Sequence, residues 1–261
     1  MTRVPLRASA LLLLALSAGA CRSTGPSESA GASPPDPAES AARASATVEA
    51  SSVEPRALPD RWDLMPVWDF EQLVTSLQPA PWTDAARGSL GFALLADDLR
   101  SVRAAVLLAH GGEPSAELLL EHLEAREAEP ERGGDAAEVV AAAALRRFAT
   151  DARRERLVAL ASGPNPHPDI EVRVECGALA LDLGAPEVAP FLVRVLRAGT
   201  PGELEDPIDW PAQATMAWAK GRAADALSRR AGIENPYDAD ASWAAQMAAA
   251  NVLSEAVNGR P

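Results

Sequence analysis

The chain has 261 residues, enough for one or two domains, and 48% of them are hydrophobic. It carries 37 acidic against 24 basic residues, a formal net charge of −13. This excess of negative charge argues against nucleic acid as a partner and against electrostatic adhesion to anionic lipid.

The first twenty residues have the pattern of an export signal. Arg3 and Arg7 precede an apolar core from Leu11 to Leu16, which is too short to span a bilayer as a stable helix. Small residues then lead to Cys21, as a signal peptidase requires. We therefore assign residues 1–20 to a signal peptide and leave them out of the fold.

The segment Leu16-Ser17-Ala18-Gly19-Ala20-Cys21 resembles the lipobox of bacterial lipoproteins, with Ala18 where leucine is commoner. The resemblance implies lipidation of Cys21, cleavage just before it and anchoring of the exported protein to the cell envelope. Arg22 follows, where an aspartate usually marks inner-membrane retention in Gram-negative bacteria, so the resemblance favours the outer membrane over the inner one. Ordinary secretion and a retained anchor are the alternatives.

Residues 21–58 carry the lipidated cysteine and a segment rich in serine, alanine, proline, glycine and glutamate. A segment with almost no large apolar side chain buries too little surface to offset its chain entropy. We expect a disordered tether here, which would hold the folded part some tens of ångströms from a membrane. The folded domain is expected over residues 59–261.

Helical apolar periodicity begins near Trp62 and is punctuated by turn signals. Two short helices are predicted, with Asp69 and Thr83 as their N-caps. Helix pairs then open at three aspartates: Asp98, Asp135 and Asp169. Their spacings of 37 and 34 residues are typical of helical solenoids.

The best-formed pair spans Ile170–Ala198. Gly184 ends its first helix where a left-handed residue is needed, and Pro186 suits the start of the second helix. The two apolar stripes have helical spacing. They consist of Val172, Cys176, Leu179, Ala180 and Leu183, then of Val188, Phe191, Leu192, Val195 and Leu196. A single pair of helices would leave these apolar stripes exposed to solvent, so it needs similar helix pairs on either side.

Two units share a motif: Ser101-Val102-Arg103 followed by Gly112-Glu113-Pro114, and Glu171-Val172-Arg173 followed by Gly184-Ala185-Pro186. They resemble bacterial HEAT-like repeats, well over residues 98–200 and more loosely over 59–261. The middle unit departs from the pattern, with Val139-Val140 and no Gly-Pro corner. The resemblance implies an all-α fold, a right-handed α-solenoid of antiparallel helix pairs. The tetratricopeptide repeat has a similar period, but its Trp/Gly/Tyr pattern is missing.

Two further helices are predicted to close the stack, one opened by Pro211 and ending at Gly232, the other following Asp240. The six tryptophans flank the repeats: Trp62, Trp68, Trp82, Trp210, Trp218 and Trp243. This distribution favours capping of the two ends of the stack, with exposed interface aromatics as the alternative.

Local sequence indicates no catalytic, cofactor or metal site. His110, His122 and His167 lack zinc-ligand spacing. A calcium-like start at Asp238 fails because Trp243 stands where the loop needs glycine. No phosphate loop, nucleophile elbow or metalloprotease motif occurs, and Cys176 fits a buried core position. We therefore expect that the protein is not an enzyme and binds no cofactor.

An acidic stripe, Glu113, Glu117, Glu121 and Glu124, runs along one predicted helix. An acidic stripe of this kind is usually a solvent-exposed helix face. Glu117, Glu121 and Glu124 are also candidates for binding a basic partner. Arginines of the next unit could neutralise the stripe: Arg146, Arg147, Arg153, Arg154 and Arg156.

The function expected on fold analogy is a membrane-anchored module for protein–protein interaction or scaffolding in the bacterial cell envelope. The partner is a protein, and the membrane is reached through lipid on Cys21. Two alternatives remain: a structural envelope lipoprotein without regulated partners, and an enzyme whose site is assembled only in three dimensions.

Overall fold

The computed structural model describes residues 54–96, 98–125, 136–199 and 210–259, with the backbone alone at 210–212. The predicted signal peptide, Cys21, most of the predicted tether and Asp135 lie outside the described residues. The described part is all-α, as expected. Its one β-type pairing is an isolated bridge between Arg56 and Trp82.

Ten α-helices account for most of the described residues. They are α1 (Val67–Ser76), α2 (Asp84–Leu94), α3 (Leu99–Leu108), α4 (Glu113–Glu124), α5 (Ala136–Ala144), α6 (Arg154–Ser162), α7 (Ile170–Asp182), α8 (Ala189–Arg197), α9 (Trp210–Ala231) and α10 (Trp243–Asn258). Three short 3₁₀ helices, Leu145–Phe148, Asp151–Arg153 and Pro186–Val188, precede or extend them.

Three of the predicted N-caps are confirmed. Thr83 accepts a hydrogen bond from the Ala86 amide, Asp98 from the Arg100 amide, and Asp169 from the Glu171 and Val172 amides. Each side chain pairs a backbone N–H group that has no partner within its own helix.

Of two other predicted helix starts, the one at Asp69 is wrong and the one after Asp240 is confirmed. Helix α1 begins at Val67 after Pro66, so Asp69 lies inside its first turn, where the helix dipole favours a carboxylate without any capping contact. Helix α10 begins at Trp243, and Ser242 is its N-cap because its hydroxyl accepts from the Ala245 amide at 3.4 Å. The helix thus follows Asp240 as predicted, and Asp240 itself belongs to the preceding turn, in which the Asp238 carboxylate accepts from its amide.

The corner between α7 and α8 forms as the sequence predicts. Gly184 has φ +83°, a left-handed conformation that costs glycine little. The Ala185 amide bonds to the Ala180 carbonyl and the Gly184 amide to the Leu181 carbonyl, which is a Schellman motif. Pro186 then begins a 3₁₀ turn that leads into α8.

The middle unit replaces that corner with irregular structure. Helix α5 continues as the 3₁₀ helix Leu145–Phe148, and a second 3₁₀ turn precedes α6. The buried Arg153 donates to the Phe148 carbonyl at 2.7 Å, which satisfies a carbonyl left without a helical partner.

Helices α2, α3, α5, α7 and α9 contact one another in succession. The intervening helices pack beside this series: α4 against α3 and α5, α6 against α7, α8 against α7 and α9, and α10 against α8 and α9. One continuous hydrophobic core runs through these contacts from Trp62 to Leu253. Fully buried leucines from several helices fill it, as expected for stripes that cannot be covered within a single pair.

Candidate functional site

The predicted acidic stripe on α4 forms an ion-pair cluster with arginines of the next unit. We call Glu113, Glu117, Glu124, Arg153 and Arg156 the first ion-pair cluster. Arg153 pairs with Glu113 and, at 3.3 Å, with Glu117. Arg156 pairs with Glu117 at 2.6 Å and donates two hydrogen bonds of 2.7 Å to Glu124. The expectation that arginines neutralise the stripe is therefore confirmed for Arg153 and Arg156.

These contacts change the proton affinities of the first ion-pair cluster. The hydrogen bond from Arg156 holds the pKa of Glu117 below its ordinary value. The hydrogen bonds to Glu124 and Glu117 raise the pKa of Arg156 further above the physiological range, against the effect of partial burial. Of the three candidate partner-binding residues, Glu117 and Glu124 are engaged within the chain and Glu121 is exposed. Their binding of a basic partner stays a prediction.

A second ion-pair cluster joins the 3₁₀ extension of α5 to α7 and α9, and no sequence pattern predicts it. It consists of Arg146, Glu175, Asp182, Arg222 and Arg229. The buried Glu175 accepts from Arg222 at 2.6 and 3.0 Å and from Arg146 at 3.4 Å. Asp182 pairs with Arg146 at 2.9 Å and with Arg229 at 3.1 Å. The partners are far apart in sequence, so no local spacing marks them.

Burial alone would lower the pKa of Arg222, but the hydrogen bonds and charge of Glu175 outweigh it and raise that pKa. A buried carboxylate such as Glu175 is stable only when it is paired. The buried Glu175 on α7 therefore joins the 3₁₀ extension of α5, through Arg146, to α9, through Arg222.

The arginines of the two Val-Arg motifs, Arg103 and Arg173, both donate to backbone carbonyls of neighbouring segments. Arg103 is buried, donates to the carbonyls of Trp62, Asp63 and Met65, and lies 4.9 Å from the ring centre of Phe70. Arg173 donates to the Ala161 carbonyl at 3.0 Å, near the end of α6, and lies 4.6 Å from the ring centre of Phe191. Both arginines thus satisfy backbone carbonyls of a preceding segment while stacking on an aromatic ring.

Arg56 binds the fold near the start of the described chain. Its amide donates to the Pro81 carbonyl at 2.9 Å, and its guanidinium lies 4.1 Å from the Trp82 ring centre. The guanidinium also donates to the carbonyls of Gln78 and His110. Arg56 falls within the range 21–58, where the sequence has almost no large apolar side chain to indicate such packing.

His110 is held as a neutral base. Burial, together with the charges of Arg147 and Arg56, lowers its pKa to about 4. Its Nδ1 lies 3.3 Å from the Arg147 guanidinium. The neutral imidazole therefore accepts from Arg147 at physiological pH.

The other histidine–carboxylate contact is inside the core. His167 accepts from the Asp169 amide through Nδ1 at 3.1 Å, and its Nε2 lies 3.7 Å from Glu138. Both side chains are buried between α5 and α7. Within residues 54–96, 98–125, 136–199 and 210–259, no three histidine, cysteine or acidic side chains are grouped so as to hold a metal ion.

Cys176 and Lys220 carry a buried thiol and a buried amine. The interpretation of Cys176 as a core residue is confirmed, since it is fully buried on α7 and burial raises the pKa of its thiol. Lys220, the only lysine in the sequence, is buried with its Nζ 4.8 Å from the ring centre of Trp243, and burial lowers its pKa. Neither atom reaches the surface, where a substrate would meet it.

The tryptophans divide between core and surface. Trp62 and Trp82 are buried at the N-terminal end, and the Trp82 indole donates to the Leu107 carbonyl at 2.9 Å. Trp68 and Trp243 are exposed. The Trp210 side chain lies outside the described part of the structure.

No family model, curated protein or solved structure matches the chain. No helix in the described part of the chain has the length and apolar character needed to cross a membrane. What the geometry does provide is a set of exposed helix faces held together by buried arginines and two ion-pair clusters.

Proposed function

We propose that the chain is an exported, lipid-anchored helical-repeat protein of the bacterial cell envelope and acts as a binding or scaffolding module for other proteins. The repeats would be HEAT-like pairs in a right-handed α-solenoid. Cys21 would carry the lipid, the segment up to residue 58 would be the tether, and the outer membrane is favoured over the inner one.

The observation that carries this proposal is the order of helix contacts. Helices α3, α5, α7 and α9 contact one another in succession, with α4, α6 and α8 packed beside them. Stacked helix pairs produce this order because each pair covers its stripes only with its neighbours. The Gly184 corner and the matching roles of Arg103 and Arg173 support a repeated unit at the level of individual residues.

The proposed binding surface is the exposed side of the second helices α4, α6 and α8. Glu121 is exposed on α4, and Arg194 and Arg197 are exposed on α8. The first ion-pair cluster joins α4 to α6 next to Glu121, so this surface is held rigid without using that side chain. A rigid surface limits the ordering cost of binding.

Binding is tested with a photo-crosslinking amino acid placed in the native organism at position 121, with position 230 on α9 as the matched exposed control. A binding module should give discrete crosslinked species at position 121 and few at position 230. Equal, diffuse crosslinking at both positions would instead favour a structural lipoprotein without defined partners.

The anchor is tested separately with a clickable fatty-acid probe. The wild-type chain should incorporate the probe, and the Cys21→Ala chain should not. Equal labelling of the two chains would refute lipidation at Cys21, while leaving the binding proposal to the crosslinking result.

A further inference from the structure

His110 lies where separate segments of the chain meet. It follows the end of α3 and is buried, with 8% of its surface exposed. The Arg56 guanidinium donates to its backbone carbonyl at 2.6 Å, and the Ala80 amide donates to the same carbonyl at 3.3 Å. Arg147, on the 3₁₀ extension of α5, donates to Nδ1 of its ring at 3.3 Å. We call Arg56, Ala80, His110 and Arg147 the His110 junction.

The imidazole ring of His110 has hydrogen-bond partners on both of its sides. Nδ1 accepts from Arg147, so the single proton of the neutral ring lies on Nε2. The ring also forms a hydrogen bond with the backbone of Leu77, at the end of α1. This arrangement requires a neutral imidazole, because a second proton would turn Nδ1 into a donor that faces the donor of Arg147.

The charges around the ring also oppose its protonation. Arg147, on the extension of α5, and Arg56, near the start of the described chain, both act to lower the pKa of His110. The connection between α1 and α2 contributes backbone groups without charge. At the start of α4, the carboxylate of Glu113 is paired with Arg153. A protonated His110 would therefore add a third positive charge beside two arginines in a site with little access to water.

We propose that the His110 junction is an acid-sensitive contact, which holds the segment around Arg56 on the end of α3 near neutral pH and releases it when His110 gains a proton. Release separates all of its hydrogen bonds. Arg147 loses its acceptor, and Arg56 and Ala80 lose the carbonyl of His110. The pH response does not depend on the proposed lipid anchor or on the proposed binding surface. In an exported protein, the junction would meet the pH of the surroundings directly.

The pH range of the opening follows from thermodynamic linkage. Burial, with the charges of Arg147 and Arg56, lowers the pKa of His110 from 6.5 to about 4 in the closed junction. In an open junction the ring is solvated and has its ordinary pKa. Because the closed state has the lower pKa, the contact is fully stable above pH 6.5 and weakens as pH falls towards 4. Between about pH 7.5 and pH 5, the ratio of open to closed junction should rise about thirtyfold.

Amide hydrogen exchange on the full chain measures this opening residue by residue. The reporters are the amide of Ala80, which donates to the His110 carbonyl, and the amide of Arg56, which lies on the released segment. Their protection factors, corrected for the intrinsic pH dependence of exchange, should fall about thirtyfold between about pH 7.5 and pH 5. The Leu183 amide, at the end of α7, should fall far less, because it reports on the fold as a whole.

Substitutions connect the response to the junction. His110→Gln keeps a side chain that both accepts and donates hydrogen bonds but does not titrate, so the fall in protection should disappear. His122→Gln, on α4, is the matched control and should retain the fall. Arg147→Met removes one of the two opposing charges and so raises the pKa of His110 in the closed junction, which should reduce the fall at least twofold. Arg154→Met, on α6, is the control for this loss of charge.

A fall in protection that occurs in wild type and His122→Gln but not in His110→Gln supports the proposal. Unchanged protection in wild type overturns it, and so does an equal fall in His110→Gln. An equal fall at Leu183 would show acid unfolding of the whole fold and would overturn it as well. If circular dichroism shows that His110→Gln does not fold, the arginine variants decide, and equal falls in Arg147→Met and Arg154→Met overturn the proposal.

Discussion

Replacing Arg103 with methionine should loosen the attachment of the N-terminal segment to α3. Arg103 is buried and donates to three backbone carbonyls, those of Trp62, Asp63 and Met65. Methionine has a similar length and can still pack against Phe70, so the change removes mainly the charged donor. The three carbonyls would then lose their partner in a site with little access to water.

The expected loss follows from the number of these bonds. A hydrogen bond from a charged donor contributes about 1.5–3 kcal/mol, and bonds made by one side chain are not additive. A net loss of about 3 kcal/mol in the free energy of unfolding is therefore expected for Arg103→Met. In a folded domain of this size, that corresponds to a Tm lower by about 6–12 °C.

The assay is urea denaturation of the full chain followed by circular dichroism at 222 nm, with thermal melting as a second measurement. Arg100→Met is the control, because Arg100 lies on the same helix but is exposed and pairs with the surface carboxylate of Asp98. The urea midpoint and Tm of Arg100→Met should stay close to those of wild type, since exposed ion pairs contribute little to the free energy of unfolding. Equal midpoints for Arg103→Met and Arg100→Met would refute the role assigned to Arg103.

Three further outcomes are expected. Gly184→Ala should destabilise the protein by about 1 kcal/mol in urea titration, because alanine is strained at φ +83° although its Cβ would meet no atom within 4 Å. In a Cys21→Ala chain, Cys176 should react with a disulfide reagent only as fast as the protein unfolds, since burial shields it and raises its pKa. The pKa of Glu117 is lowered by its hydrogen bond from Arg156, so its stabilising effect is present above pH about 4.5 and is lost as pH falls through the lowered pKa. Glu117→Gln should therefore lose less stability than wild type on acidification, as measured by urea midpoints across pH.

Each of these has its own control. Gly221→Ala lies within α9 where a Cβ also has free space, and it should stabilise the helix by about 0.5–1 kcal/mol. A loss equal to that of Gly184→Ala would argue against backbone strain. Rapid modification of Cys176 under native conditions would show that α7 is accessible. An identical acid response of Glu117→Gln and Glu121→Gln would contradict a specific effect of Arg156.

Features set by neighbouring residues were predictable. The caps Thr83, Asp98 and Asp169 and the corner at Gly184 each depend on side chains or backbone within a few positions. The prediction of Asp69 as an N-cap was wrong because the helix begins three residues earlier, after Pro66. Proline has no side-chain hydrogen-bond acceptor, so the residue pattern of a capped helix start is missing there.

Features that join distant parts of the chain were not predictable. Glu175 meets Arg146 and Arg222 across 29 and 47 residues, and Arg56 reaches His110 across 54. Nothing in the local sequence distinguishes these arginines from the many solvated ones. The sequence offered five arginines as possible partners of Glu117, and Arg156 was one of them. The geometry of the next unit decides which of these side chains reaches α4.

The burial of Lys220 determines which chemical labels this protein accepts. It is the only lysine in the sequence, and its amine is covered between α9 and the Trp243 ring. Amine-directed crosslinkers, dyes and immobilisation resins should therefore find no side-chain target on the folded protein, and a lipidated amino terminus would leave them little else. The same property makes acquisition of an amine label a direct signal that the contact between α9 and α10 has opened.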